Sequence, residues 1–183
     1  MRDVTDLAEA QQKWCAKLAC FCDLTHDPRM TLDPKDIQLL ARLQRNGQTP
    51  AQDLADHLGM SASQISRRRQ RLEAGGYIIG TPCRLNPEKL GLSVQAFIQV
   101  ETRAQSNGTH QSIKRLVATT PEIVAAWTLT GEADYIFRVF CTDLGALNRL
   151  VQEVLLPHDS IGRVHSQIVM DQVKDDTALP LPR

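Results

Sequence analysis

Neither basic nor acidic residues dominate this sequence, aromatic residues are scarce, and no long hydrophobic run occurs. Its 183 residues include 21 basic and 21 acidic side chains, and only 4% are aromatic. The zero net charge excludes a protein that coats nucleic acid through bulk positive charge. Without a long apolar run we expect no membrane partner, and the opening residues MRDVTDLAEAQQ are too polar and acidic for a signal peptide. We therefore expect a cytoplasmic protein with reduced thiols.

Motifs of the common enzyme classes are also absent. The sequence contains no HExxH zinc motif, no phosphate-binding loop and no dinucleotide fingerprint. Cys15, Cys20, Cys22 and His26 form the pattern CxxxxCxCxxxH, which lacks the paired CxxC spacing of a zinc site. Packing explains these side chains more simply than a metal or redox role. The sequence thus predicts no catalytic residues, no metal site and no cofactor.

The basic residues are concentrated in one part of the chain. Residues 33–86 carry eight basic and five acidic side chains, whereas the segments before and after them are slightly acidic. Within this part, SASQISRRRQRLEAGG over Ser61–Gly76 contains four arginines. Ser61 and Gln64 are spaced as a helix-start capping box, and the double glycine ends the pattern. Taken alone, the segment is either a DNA-reading helix or a solvated basic helix.

Two helix signals precede this segment. Asp33-Pro34 supplies an N-cap and a proline at the first helical position, and the apolar residues that follow end at Asn46-Gly47. Thr49-Pro50 predicts a second helix start, with Thr49 as the cap, and Gly59 ends that helix. Three short helices with a glycine turn before the last predict a helix-turn-helix.

The rest of the chain predicts a second domain of different type. Extended runs over 77–80 and 82–85 predict a hairpin wing. Beyond it, the pattern is strand, helix, strand, strand, helix, strand, over Val94–Glu101, Thr109–Thr119, Ile123–Thr130, Tyr135–Cys141, 143–157 and Arg163–Val173. This order predicts an α+β chain, a winged helix-turn-helix followed by a ferredoxin-like βαββαβ domain. The predicted domains are an extension over 1–31 with a helix at Asp3–Cys22, the winged helix-turn-helix over 32–86, a hinge over 87–93, the ferredoxin-like domain over 94–174 and a frayed tail over 175–183.

Helical phase divides the arginine-rich segment into two sides. At about 100° per residue, Ile65 and Leu72 face the core, and the opposite side is open for contacts. Arg68 lies near the core side, and Arg69 must pass the core or pair with an acid. Arginine can bind guanine or phosphate, glutamine adenine, and serine any base. The residues expected at DNA are Ser61, Ser63, Gln64, Ser66, Arg67, Arg68, Gln70 and Arg71.

Several short stretches between residues 32 and 174 share a joint order and spacing that is more specific than any one of them. They are Leu32-Asp33-Pro34-Lys35-Asp36, 54–61, Arg67-Arg68, Arg71-Leu72-Glu73, Gly76-Tyr77-Ile78, Leu90-Gly91, Thr130-Gly131, Asp134-Tyr135 and Val173-Lys174. Together they resemble the leucine-responsive/asparagine-regulator (Lrp/AsnC, "feast/famine") family of transcription regulators. Residues 1–31 lie outside the usual pattern, and Arg69 departs from it because the family usually has an aliphatic residue there.

The resemblance implies a transcription regulator that binds double-stranded DNA at a pseudo-palindromic operator. It implies dimers, which can assemble further to tetramers or octamers, and a protein found at the nucleoid when bound. It also implies a small effector, commonly an amino acid, near the loop Gly131–Asp134. The expected effector residues are Thr130, Gly131, Glu132, Asp134, Tyr135 and Ser166, with Trp127 and Thr128 nearby. From the residues alone, the loop is equally well explained as a hairpin turn.

Two other functions are compatible with the same architecture. One is an enzyme similar to the siroheme decarboxylases, in which the helix-turn-helix half is not used on DNA. The other is a ligand-sensing assembly partner without a DNA target of its own. Four arginines with several hydroxyl and amide side chains in Ser61–Gly76 favour DNA over the enzyme, and a gel shift with the protein's own upstream DNA separates all three functions.

Overall fold

The computed structural model describes residues 31–176 and 178–182. They form two compact units, of which the first holds 31–82 with 178–182 and the second holds 83–176. The predicted helix over Asp3–Cys22 and its cysteine–histidine cluster lie outside the described residues. No helix in the described part of the chain is long and apolar enough to span a bilayer.

The first unit contains the three helices of the predicted helix-turn-helix: α1 (Pro34–Arg45), α2 (Ala51–Leu58) and α3 (Ala62–Ala74). Asp33 caps α1 and exchanges capping-box hydrogen bonds with Asp36, and Ser61 caps α3 in the same way with Gln64. Gly59 ends α2 at φ 62°, in the left-handed region that glycine adopts without steric cost. These starts and stops confirm the predicted order of helices.

Aliphatic side chains from all three helices form the core of the first unit. Its buried members are Leu39, Leu40, Leu43, Leu54, Ala55, Leu58, Ile65 and Leu72. Ile65 and Leu72 are 1% and 0% exposed, which confirms the predicted core side of α3. Both lie on one stripe of α3, seven residues apart, so the opposite stripe of the helix is left at the surface.

Two local predictions for this unit are wrong. Thr49 does not cap α2: Pro50 occupies the N-cap position without a side-chain bond, and the Thr49 hydroxyl donates to the Asn46 carbonyl over 2.8 Å. The hairpin wing does not form either, since residues 77–85 contain no strand. Ile79 is 98% exposed there and Pro82 has no N–H to donate, so a hairpin would leave this side chain uncovered and its ladder incomplete.

Residues 178–182 pack on the first unit. The amide of Gln44 on α1 donates to the Leu179 carbonyl over 3.3 Å, and its carbonyl oxygen accepts from the Leu179 N–H over 2.6 Å. Leu181 packs against the core of the helices. The expected fraying therefore does not apply to this stretch.

The second unit begins with a 3₁₀ turn at Glu88–Leu90, within the predicted hinge. Its elements are β1 (Val94–Thr102), α4 (Asn107–Thr119), β2 (Ile123–Thr128), β3 (Tyr135–Cys141), α5 (Leu144–Arg149), a π-helical turn (Leu150–Leu155) that continues α5, and β4 (Ile161–Ile168). The strands form one antiparallel sheet in the order β2-β3-β1-β4. This is the predicted βαββαβ order, although β2 and β4 end earlier than predicted.

The core of this unit lies between the sheet and its helices. Alternate residues of β1 and β3 point into it, because side chains alternate across a strand. The strand residues in the core include Ala96, Ile98, Val100, Phe137, Val139 and Cys141, and the helical ones include Ile113, Leu147, Leu150 and Leu155. The residues between them in sequence, such as Phe97 and Arg138, point to the other face of the sheet.

Candidate DNA interface and effector loop

The outward side of α3 carries four polar side chains in one row, Ser63, Ser66, Arg67 and Gln70, which we call the exposed stripe. All four are exposed, and the turn-to-turn spacing of an α-helix aligns them. The Ser66 hydroxyl donates to the Ala62 carbonyl over 3.0 Å, and the Ser63 hydroxyl lies 3.0 Å from that of Ser61. The helical phase predicted from the sequence therefore agrees with the exposure of these residues. Gln64 contributes its side-chain oxygen to the capping box, accepting from the Ser61 N–H over 2.9 Å.

The four arginines of α3 have different surroundings. Arg68 pairs with two acids of the first helical turn, at 2.5 Å from Asp33 Oδ2 and 2.7 Å from Asp36 Oδ1. The hydrogen bonds that Arg68 donates to these two carboxylates raise the pKa of Arg68 above its usual value. Arg68 thus braces the fold by joining α3 to the start of α1.

The neighbouring arginines are also paired. Arg69 Nε donates to Glu73 Oε1 over 2.9 Å, which confirms that it pairs with an acid. Arg71, one of the residues expected at DNA, pairs through an NH2 group with Asp36 Oδ2. Arg67 makes no ion pair with any residue that the structure describes. Unlike the other three arginines of α3, it therefore has its charge available to a ligand. The Arg71–Asp36 pair could not be predicted from the sequence, because it depends on how α1 packs against α3.

The ion pair of Asp33 makes the stability of the first unit depend on pH. The Arg68 guanidinium holds the pKa of Asp33 below its usual value, so the pair stabilises the fold above about pH 3.9 and the contribution is lost on acidification. We expect Asp33→Asn, which keeps a good N-cap, to lower the free energy of unfolding at pH 7 by a few tenths to about 1 kcal/mol. Urea melts at pH 7 and pH 3 measure it. If the difference in the free energy of unfolding between Asp33→Asn and the parent is as large at pH 3 as at pH 7, the stabilising role of the Asp33–Arg68 ion pair is contradicted.

The loop between β2 and β3 is the predicted effector loop, and it is tightly closed. The Leu129 N–H donates to the Asp134 carbonyl over 2.8 Å, and the Asp134 N–H donates to the Val100 carbonyl of β1 over 3.0 Å. Gly131 has φ 127°, a conformation that side-chain-bearing residues rarely adopt, with open space around its Cα. Thr130, Gly131 and Glu132 are exposed at its tip. The backbone of the tip is therefore accessible to a small molecule.

Asp134 fastens this loop to the end of β1. Its Oδ2 accepts from the N–H of Thr102 over 2.8 Å and from the hydroxyl of Thr102 over 2.7 Å, and its Oδ1 accepts from Gln105 Nε2 over 2.7 Å. Thr102 is the last residue of β1, at the end where the β2–β3 loop lies. The sequence pattern did not indicate Thr102 and Gln105, because only the pairing of the strands brings them to the loop.

Tyr135 begins β3 next to this carboxylate. Its hydroxyl lies 2.9 Å from His110 Nδ1 on α4, and the two rings stack with centroids 6.1 Å apart. Burial, with a smaller contribution from Asp134, raises the pKa of Tyr135, so the phenol stays protonated at neutral pH. His110 is a further polar group beside the loop that the sequence pattern did not indicate.

The structure does not bring the whole predicted effector set together in one chain. Ser166 on β4 is paired with Ile98 of β1, so β1 separates it from Tyr135 on β3. Trp127 is paired with Ile136 and lies on the opposite face of the sheet from Tyr135, which faces α4. The residues that do lie together are Thr130, Gly131, Glu132, Asp134 and Tyr135. In the described part of the chain, no group of three or more metal-ligating side chains is present.

Replacing Thr102 with valine tests how the loop is held. Valine keeps the shape and the backbone N–H bond to Asp134 but removes the hydroxyl bond. We expect a loss of about 1–2 kcal/mol in the free energy of unfolding, because a bond to a carboxylate is lost from a half-buried site. Thermal melts measure it, with Thr119→Val as control, since that exposed hydroxyl bonds only carbonyls of its own helix. Equal melting temperatures for Thr102→Val and the parent would contradict this role.

Comparisons with known proteins identify the family of both units. The AsnC-type helix-turn-helix domain matches residues 32–73, and the Lrp/AsnC ligand binding domain matches residues 95–179. The DNA-binding transcriptional activator DecR of Escherichia coli K12 is 31% identical over 150 residues, which are 82% of this chain and 99% of the relative. The chain belongs to the Lrp/AsnC family.

Further Lrp/AsnC relatives cover a similar part of the chain. The leucine-responsive regulatory protein of Rhizobium meliloti is 31% identical over 147 residues, which are 80% of this chain and 94% of that protein. Among solved structures, a transcriptional regulator of Neisseria meningitidis in complex with L-Met is 34% identical, with a TM-score of 0.78, covering 82% of this chain and 97% of that one. The chain is accordingly a DNA-binding transcriptional regulator, and the decarboxylase alternative is not favoured.

Proposed function

We propose that this Lrp/AsnC-family chain binds a pseudo-palindromic operator through the exposed stripe of α3, and that an amino acid or related metabolite at the effector loop controls this binding. The observation that carries the DNA half is the contrast among the arginines of α3. Arg68, Arg69 and Arg71 are paired with acids, whereas Arg67 is exposed without an ion pair to the described residues, between Ser66 and Gln70. Guanidinium, hydroxyl and amide groups in one row are the donors and acceptors that read base edges in the major groove.

Two copies of α3 are needed for a pseudo-palindromic site. Half-sites one helical turn apart lie about 34–36 Å apart, and a two-fold dimer presents one recognition helix to each. The face of the sheet away from α4 offers a surface for such pairing, because Trp127 lies on it and is 48% exposed. We propose a dimer that can assemble further. With DNA as its partner, we place the protein in the cytoplasm, associated with the nucleoid.

The effector half of the proposal is supported by the loop and by the relatives. The exposed backbone at Gly131 and Glu132 offers groups for a carboxylate, and the exposed Glu132 carboxylate offers an acceptor for an ammonium. The structural neighbour bound to L-Met and the relative named as leucine-responsive both point to amino acids. An effector shifts DNA binding only as far as its affinity differs between two states of the protein.

The decisive experiment is genome-wide mapping of the DNA that the full-length protein binds, followed by gel shifts on the recovered sites with scrambled sequences as control. We expect a shared pseudo-palindromic sequence and binding that prefers it over the scrambled DNA. Absence of any sequence preference would contradict the DNA proposal and favour an assembly partner without a DNA target. The common amino acids are then screened for a change in melting temperature and in operator affinity. If none changes either quantity, the effector proposal is wrong for amino acids.

A further inference from the structure

Asp36 is a fully buried carboxylate at the start of the DNA-binding unit. It is 0% exposed and lies in the first turn of α1. Its Oδ1 accepts from Arg68 over 2.7 Å, and its Oδ2 accepts from Arg71 and, over 3.1 Å, from the Asp33 N–H. A buried charge is tolerated only when it is paired and hydrogen-bonded, and here both oxygens are occupied.

The two arginines that Asp36 holds both belong to α3. They lie three residues apart on that helix, so the single carboxylate bridges α1 to almost one turn of α3. The Arg71 side chain remains 47% exposed and that of Arg68 25% exposed. Each guanidinium thus lies near enough to the surface to reach solvent if its acid were neutral. Side chains of this length would then be able to turn towards a DNA phosphate.

We propose that Asp36 is a positioning residue of the DNA interface. It holds Arg68 and Arg71 against α1, so α3 presents the exposed stripe with Arg67 as its free cation. Sequence reading by the stripe then outweighs attraction to phosphate, which all sequences share. This inference rests on the proposed function, since it names Asp36 as the residue that sets the selectivity of the proposed DNA binding.

Neutralising Asp36 with asparagine tests the inference in the full-length protein. Asparagine keeps the size and an oxygen acceptor for the Asp33 N–H, but it removes the charge that holds the arginines. Each cation that gains a phosphate contact steepens the dependence of log Kd on log salt by about 0.9. We therefore expect a slope steeper by about 1–2 on scrambled DNA, and a ratio of operator to scrambled affinity that falls about tenfold or more.

A matched control separates this effect from a change of net charge. Asp53→Asn removes one negative charge from an exposed acid of α2 that the structure pairs with no arginine. The control is expected to keep the slope and the affinity ratio of the parent protein. Equal slopes and equal ratios for Asp36→Asn and the parent, or the same change in both variants, would overturn the inference.

Arg71→Gln provides a test that does not depend on the folding of Asp36→Asn. If Asp36 holds Arg71 away from phosphate, removing Arg71 leaves the salt slope of operator binding unchanged. A slope that falls by about 1 would show that Arg71 contacts phosphate and would overturn the inference. If the parent protein shows no sequence preference at all, the proposed function fails instead, and the two failures are therefore distinguishable.

Discussion

Replacing Arg67 with alanine is expected to weaken operator binding by about 1–3 kcal/mol, or about 5- to 150-fold. The guanidinium lies at the centre of the exposed stripe, and no acid among the described residues competes for it. If it contacts a base, affinity for the operator falls more than affinity for scrambled DNA. If it contacts a phosphate, both affinities fall together and the salt slope decreases by about 1. Fluorescence anisotropy at several salt concentrations distinguishes these cases.

Arg69→Ala is the matched control for this experiment. It removes the same side chain two residues away, where the guanidinium is already paired with Glu73. The control is expected to bind the operator within about twofold of the parent, because Glu73 already engages the Arg69 guanidinium. It is also expected to stay folded, because an i,i+4 ion pair contributes only about 0.5 kcal/mol to stability. A melting temperature for Arg67→Ala equal to that of the parent confirms that the variant is folded. Operator affinity that is unchanged in folded Arg67→Ala would remove this residue from the interface.

Replacing Leu72 with alanine is expected to lower the free energy of unfolding by about 2–5 kcal/mol. The side chain is 0% exposed among the aliphatic residues of the three helices. Its backbone carbonyl also accepts from the N–H groups of Tyr77 and Ile78 over 2.9 and 3.2 Å, so Leu72 lies where α3 ends and the chain turns away. The loss combines the lost burial of the side chain with the cavity that alanine leaves.

Urea melts of Leu72→Ala measure this loss of stability. Ile79→Ala is the control, since it shortens an isoleucine at the surface. Ile79 is 98% exposed, and its removal is expected to change stability by no more than about 0.5 kcal/mol. The two largest effects thus concern one helix and separate its two faces: Arg67→Ala lowers affinity without lowering stability, and Leu72→Ala lowers stability first. A loss below about 1 kcal/mol for Leu72→Ala would contradict the packing described for this core.

The sequence predicted the elements whose signals are local. The N-cap at Asp33, the capping box at Ser61, the glycine turn at Gly59 and the strands β1 and β3 each depend on neighbouring residues, and each is present as predicted. The predicted hairpin wing was wrong, because the strand-like composition of its two runs is a local signal that the tertiary structure does not support. The runs at 77–80 and 82–85 have strand-like composition, but no apolar surface covers Ile79, so nothing compensates the entropy of pairing them.

The surface position of a site residue could be predicted where all residues of the group lie on one helix or strand. Helical phase was sufficient for the exposed stripe, because its four residues lie on α3 alone. It was insufficient for Arg71, whose partner Asp36 precedes it by 35 residues, and for Asp134, whose partner Thr102 lies on another strand. Ser166 was grouped with the loop by resemblance, yet within one chain the register of β4 places it across β1. Pairing between distant segments decides these positions.

The packing of Leu181 on the helices of the first unit has a consequence for biosynthesis. Leu181 follows Leu72 by roughly 100 residues, which a ribosome adds in about 5–20 s at about 5–20 residues per second. During this interval α1, α2 and α3 are already made, while the hydrogen-bond partner of Gln44 and the aliphatic side chain of Leu181 are not. The nascent DNA-binding unit therefore makes its last contacts only after all four strands of the sheet have been translated.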